Sequence, residues 1–138
     1  MRKVFVFVLF TCFLCGYLTI GSNAQNEKID KTLYHDVLIT SLKPTINKAV
    51  EDYYKNIFKE IPSYSVESTI IKDIQRPNGD RTEYFILEME IEPYLGPHIV
   101  VGRDNIIIEL KSPQFPVIIE FRHLIDYPLP ENKRGWLL

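Results

Sequence analysis

The chain is 138 residues long, 46% hydrophobic and 25% charged, with 9 Pro, 6 Gly and a formal net charge of −2. These values exclude a multi-domain machine, a collagen-like or Pro/Gly-rich tract, an acidic disordered tail and a strongly basic nucleic-acid binder. They do not exclude one greasy segment beside an ordinary domain, and the chain has one.

Met1-Arg2-Lys3 is a short positive start, after which residues 4–20 run for seventeen positions without a charge. Ser22 and Ala24 then place small side chains where a signal peptidase reads them. This order predicts a secretory signal peptide over residues 1–24, cut before Gln25. Two alternatives leave the protein membrane-anchored. The apolar segment approaches the roughly 17–25 residues that span a bilayer, so it could stay uncleaved, or Cys12 could be acylated. Cleavage leaves 114 residues and, with Arg2 and Lys3 gone, a net charge of −4. That balance argues against electrostatic binding of nucleic acid or anionic lipid. Cys12 and Cys15 leave with the leader, so the mature chain is expected to have no disulfide framework, thiolate nucleophile or cysteine metal site.

Residues 30–60 have a helical pattern, with Asp30 as N-cap and Leu33, Val37 and Leu38 on one side. Pro44 removes a backbone donor and crowds the preceding turn, which predicts either a kinked helix or two helices in succession. Ile46, Ala49, Val50, Tyr53, Ile57 and Phe58 form an apolar stripe, and Ile61-Pro62 ends it. The period then falls to two. Residues 64–75 and 81–92 read as strands joined at Asn78-Gly79, the pairing setting Ile74 opposite Glu83 and Ile70 opposite Leu87. Residues 105–110 and 117–123 form a second hairpin around Pro113 and Pro116. Pairing Leu110 with Val117 groups Ile106, Ile108, Val117, Ile119 and Phe121 on one face, with His123 at its end beside Asp104. Residues 93–98 are a turn-rich connection, and residues 99–102 a short strand or part of a loop. The tail from about residue 126 is irregular, ending in the apolar Trp136-Leu137-Leu138, which either folds back or meets a partner.

The expected fold is α+β, a single domain over residues 25–138. An N-terminal kinked helix, or two helices, packs on a four-stranded antiparallel sheet built from two hairpins, in cystatin-like order.

No phosphate loop, His-Glu-x-x-His, Gly-x-Ser-x-Gly or Gly-x-Gly-x-x-Gly motif is present. We therefore expect no cofactor, no metal and no catalytic residue. Three histidines remain. His98 follows Gly96-Pro97 on a constrained loop, where function often resides, His123 ends the core face, and His35 is expected on an exposed helix surface. Glu88, Glu90 and Glu92 read as a solvated strand face, because calcium needs oxygens converging from a loop. Seven tyrosines outside the leader suit recognition or ordinary packing equally.

The helical segment with Pro44 and Tyr53-Tyr54, then Gly96-Pro97-His98, Asp104-Asn105-Ile106-Ile107-Ile108 and Phe121-Arg122-His123 together resemble domain-of-unknown-function family 3888. The resemblance covers most of residues 30–123. It implies a small exported protein of a spore-forming Gram-positive bacterium and carries no activity. This chain departs from the family pattern after His98, where Ile99-Val100-Val101 replaces an Asn-Pro-Pro-Tyr type stretch. The leading expectation is a secreted, non-enzymatic binding or interaction module of the cell envelope. It is expected to act through the sheet face or the 96–102 loop, with Gly96, Pro97, His98, Arg103 and Asp104 as the candidate contact residues, and its partner is an envelope protein or ligand. Membrane contact is expected only through an uncleaved leader. An envelope enzyme or enzyme inhibitor using the 96–102 loop is one alternative, and it requires a pocket with His98 near an acid. A carrier of a small apolar ligand is the other, and it requires an enclosed cavity.

Overall fold

The computed structural model describes residues 23–138, with side chains from residue 31. The leader read over residues 1–24, with Cys12 and Cys15, lies outside the described residues, apart from Asn23 and Ala24. Two compact units divide the chain, Met1–His35 and Asp36–Leu138. The described part of the first is the opening stretch of helix α1 (Asn23–Tyr54), where Leu33 and Tyr34 are exposed.

In the second unit, α1 buries Ile39, Leu42, Ile46, Val50 and Tyr54, spaced three or four residues apart so that they share one face. The helix differs from its sequence reading at both ends, while across Pro44 it is continuous, which excludes the two-helix alternative. It begins before Asp30, so that position is not its N-cap. It stops at Tyr54 because the next residues find long-range partners. Phe58 bridges to Leu137, the Lys59 amide donates to the Trp136 carbonyl (2.9 Å), and the Leu138 amide donates to Ile57 (3.1 Å). The C-terminal tail thus folds back, through a 3-10 turn (Glu131–Trp136), and holds the helix exit. Val37 is exposed and His35 half-buried, against the expected apolar side and exposed histidine.

The sheet has four antiparallel strands in the order β1-β2-β5-β6, namely β1 (Ile70–Gln75), β2 (Tyr84–Ile91), β5 (Gly102–Lys111) and β6 (Val117–Asp126). Strands β3 (Tyr94–Leu95) and β4 (Ile99–Val100) pair as a separate two-stranded turn. Leu87, Met89 and Ile91 of β2 and Ile106 and Ile108 of β5 form the buried face; every second residue points the other way.

Both hairpins depart from their expected registers. Ile74 pairs with Leu87 and not Glu83, and Ile70 with Glu90 and not Leu87. The connection spans residues 76–83, and its left-handed positions are Gly79 (φ 81°) and Arg81 (φ 57°) in place of Asn78-Gly79. Residues 64–69 are not strand, because Thr69 Oγ1 donates back to the Ser65 carbonyl (2.8 Å) and closes a local turn. In the second hairpin the expected pairing holds from Asp104↔His123 to Ile107↔Glu120. Register shifts on either side put Ile108 opposite Ile118 and Glu109 opposite Val117. One extra residue at Ile119 reverses the faces, so Ile118 packs on the core while Val117 and Ile119 are exposed.

Candidate functional site

The five residues expected to form one contact site lie in three places. Gly96, Pro97 and His98 form the exposed turn between β3 and β4. Gly96 has φ 48° and His98 φ 62°, and the His98 amide donates to the Gly96 carbonyl (2.8 Å). A Cβ on Gly96 would come within 2.8 Å of the Trp136 ring, so glycine is needed both for its dihedral and for the docked tail. The His98 imidazole lies on the Tyr94 ring (centroids 4.7 Å apart), and no acid is among its described contacts. Arg103 faces the outer side of the sheet and donates from Nε and Nη2 to Glu92 Oε1 (3.2 and 2.9 Å). Asp104, one residue on, faces the interior with no exposed surface. Strand alternation separates the two neighbours.

Around Asp104 the fold builds a compact polar cluster. Tyr54, the last residue of α1, donates its hydroxyl to Asp104 Oδ2 (3.0 Å). His123 Nδ1 lies 2.7 Å from Asp104 Oδ1, and Nε2 lies 3.0 Å from Asp126 Oδ1. The Tyr53 ring stacks on the imidazole (5.1 Å, 21°). Gly102 leaves the necessary space: a Cβ there would sit 2.7 Å from the Tyr54 hydroxyl and 2.8 Å from His123 Cε1. Burial pushes the Asp104 carboxyl up from its ordinary value, against the downward pull of the His123 and Tyr54 hydrogen bonds. Burial, then the Asp104 charge, pushes the Tyr54 hydroxyl up.

A carboxylate on Nδ1 orients an imidazole as in hydrolytic triads, but the other nitrogen must then face a reacting group. Here Nε2 faces Asp126, and the described hydrogen bonds of the ring go to Tyr54, Asp104 and Asp126. The cluster ties the end of α1 to β5 and β6, and Asp126, its outermost member, is exposed to solvent. Among the described residues, no group of three or more His, Cys, Asp or Glu is arranged to hold a metal ion.

On the outer face, the glutamates have separate partners. Glu88 accepts from Asn105 Nδ2 (2.8 Å), Glu90 pairs with Lys72 (3.1 Å) and Glu92 with Arg103. They stand as a ladder of individual contacts and not as one convergent cage.

Beside the cluster, α1 and β6 diverge to leave an open groove of roughly 680 Å³. Pro44, Ala49 and Tyr53 line its helix side, and Pro116, Val117 and Phe121 its strand side. Phe115, at the hairpin tip next to it, is 90% exposed. The sequence reading missed Tyr54 and this groove; the only available signal was the paired Tyr53-Tyr54, which leaves open which ring turns inward. Among the described residues, no helix is long and apolar enough to cross a membrane.

A family described as "Protein of unknown function (DUF3888)" matches residues 34–124, and the chain belongs to that family. No curated protein and no solved structure matches the chain. The matched span runs from α1 into β6 and so contains Tyr54, Asp104, His123 and both walls of the groove.

Proposed function

We propose that this family member is an exported, non-enzymatic interaction module of the bacterial cell envelope, and that its contact surface is the α1/β6 groove and not the 96–98 turn. The observation that carries this reading is the groove itself, an open and largely apolar trough between helix and edge strand, with Val117 half in solvent. Apolar surface left uncovered in this way is typical of interaction sites. Its openness suits a partner laid across it better than a carried ligand, which needs enclosure. The histidine–aspartate pair supports the non-enzymatic part, since both nitrogens of its ring have carboxylate partners, the buried Asp104 and the exposed Asp126. The export part is supported by the charged, apolar, small-residue order of residues 1–24.

Two measurements test it. N-terminal sequencing of protein recovered from culture medium should begin at Gln25, whereas protein retained in the cytoplasm with Met1 intact overturns export. An apolar fluorophore such as anilinonaphthalene sulfonate should brighten on the protein, and Thr45→Glu, which puts a charge on the helix wall of the groove, should weaken that binding several-fold. Equal binding by a folded Thr45→Glu variant overturns the groove.

A further inference from the structure

The sheet ends at β6, and among the described residues no strand pairs with its outer edge. Unpaired edges present a row of free backbone donors and acceptors, and stable proteins cover or blunt them. This edge is ten residues long, and Val117, Ile119, Leu124 and Ile125 along it are exposed. Between its two register shifts, residues 120–123 pair regularly with β5, with Glu120 and Arg122 on the outer face. Their side chains are about half exposed and pair within the chain, Arg122 Nη2 donating to Glu120 Oε1 (2.7 Å), so that two copies meeting here would bring together two such pairs with their charges alternating.

We infer that the β6 edge is the docking surface for the β6 edge of a second copy, antiparallel about a two-fold axis at Phe121, with Glu120 of each chain opposite Arg122 of the other. This rests on the reading of the α1/β6 side as the contact surface and names its partner. Residues directly opposite in an antiparallel pair share a sheet face, so only registers that align like faces are open. Centring the axis on Glu120 or on Arg122 sets like charges against each other, which is destabilising, while centring it on Phe121 yields two opposite-charge pairs. The irregularities at both ends of residues 120–123 limit regular pairing to that stretch, so the contact closes as a dimer instead of templating an open stack. Phe121 and Val117 also line the groove, so the grooves of the two copies meet at the axis.

Sedimentation velocity of the protein as the cell processes it, over a range of concentrations, tests the inference. Wild type should be a dimer. Glu120→Arg and Arg122→Glu should each weaken dimerisation by on the order of tenfold or more, and the double reversal should restore it, because swapped charges remain complementary across the axis. A monomeric wild type, single variants that dimerise like wild type, or a double reversal that stays dissociated each overturn the pairing, provided circular dichroism shows the fold intact. If dimerisation fails while Thr45→Glu still weakens fluorophore binding, the groove stands and the second copy falls. If the dimer forms while fluorophore binding ignores Thr45→Glu, the groove falls and the edge pairing stands.

Discussion

The 96–98 turn and the Tyr54–Asp104–His123 cluster each lay an imidazole on a tyrosine ring, at 4.7 and 5.1 Å. There the likeness ends. His98 is exposed on a turn held by local backbone geometry and by Trp136, whereas His123 has a fully buried carboxylate 2.7 Å away. The loop leaves His98 with one ring contact, whereas the hairpin and the helix end give His123 a hydrogen-bonding partner on each ring nitrogen. The difference teaches that, in this protein, the conspicuous histidine and the engaged histidine are different residues.

Deleting the buried acid should separate the two regions most sharply. Asp104→Ala strips His123 Nδ1 and the Tyr54 hydroxyl of their shared acceptor, and each buried group left unsatisfied costs about 1–3 kcal/mol, readable as a lower urea midpoint. Gly102→Ala should cost about 2–3 kcal/mol, since the new Cβ meets Tyr54, His123 and the Ile125 carbonyl at 3.0 Å or less. Gly96→Ala is the matching change at the turn, and its left-handed dihedral and the Trp136 contact should cost about 1–2 kcal/mol. In thermal melts this variant should also loosen the C-terminal tail, visible as a change in Trp136 fluorescence.

The pH dependence sharpens the contrast. Burial raises the Asp104 carboxyl, so the folded protein holds this proton more tightly than the unfolded chain does. Its stabilising contribution is fully present below the ordinary carboxyl value of about 3.9 and is lost as pH rises through the raised value. The advantage of wild type over Asp104→Asn, measured by urea unfolding, should therefore shrink as the solution goes from acid toward neutral. An advantage that grows with pH would show the His123 contact outweighing burial. The smallest effect belongs to the turn: His98→Ala should change stability by less than about 0.5 kcal/mol, and a larger loss would mean that the Tyr94 contact holds the turn.

Much of the fold was legible because periodicity is local. The spacing of Ile46, Ala49 and Val50 and the alternation along residues 84–91 placed helix and strand without knowledge of the rest. The pairing of Asp104 with His123 was legible too, as it needs only one hairpin's register. Tyr54 was not, because its partner lies 50 residues away and a helix of mixed tyrosines does not declare which ring faces in. The expected Asn78-Gly79 turn failed for a related reason. Residues 65–69 close a local turn, so β1 begins only at Ile70, pairs several residues further along β2, and leaves residues 76–83 as the connection.

The sequence by itself determined the α+β class, the antiparallel hairpins and the apolar character of residues 4–20, since each follows from the order and period of neighbouring side chains. Only the tertiary structure decided where the helix stops, where β5 and β6 shift register, and which face each residue near those shifts presents. Those outcomes depend on packing between segments far apart in the chain. A single extra residue at Ile119 is enough to turn Val117 and Ile119 outward and Ile118 inward.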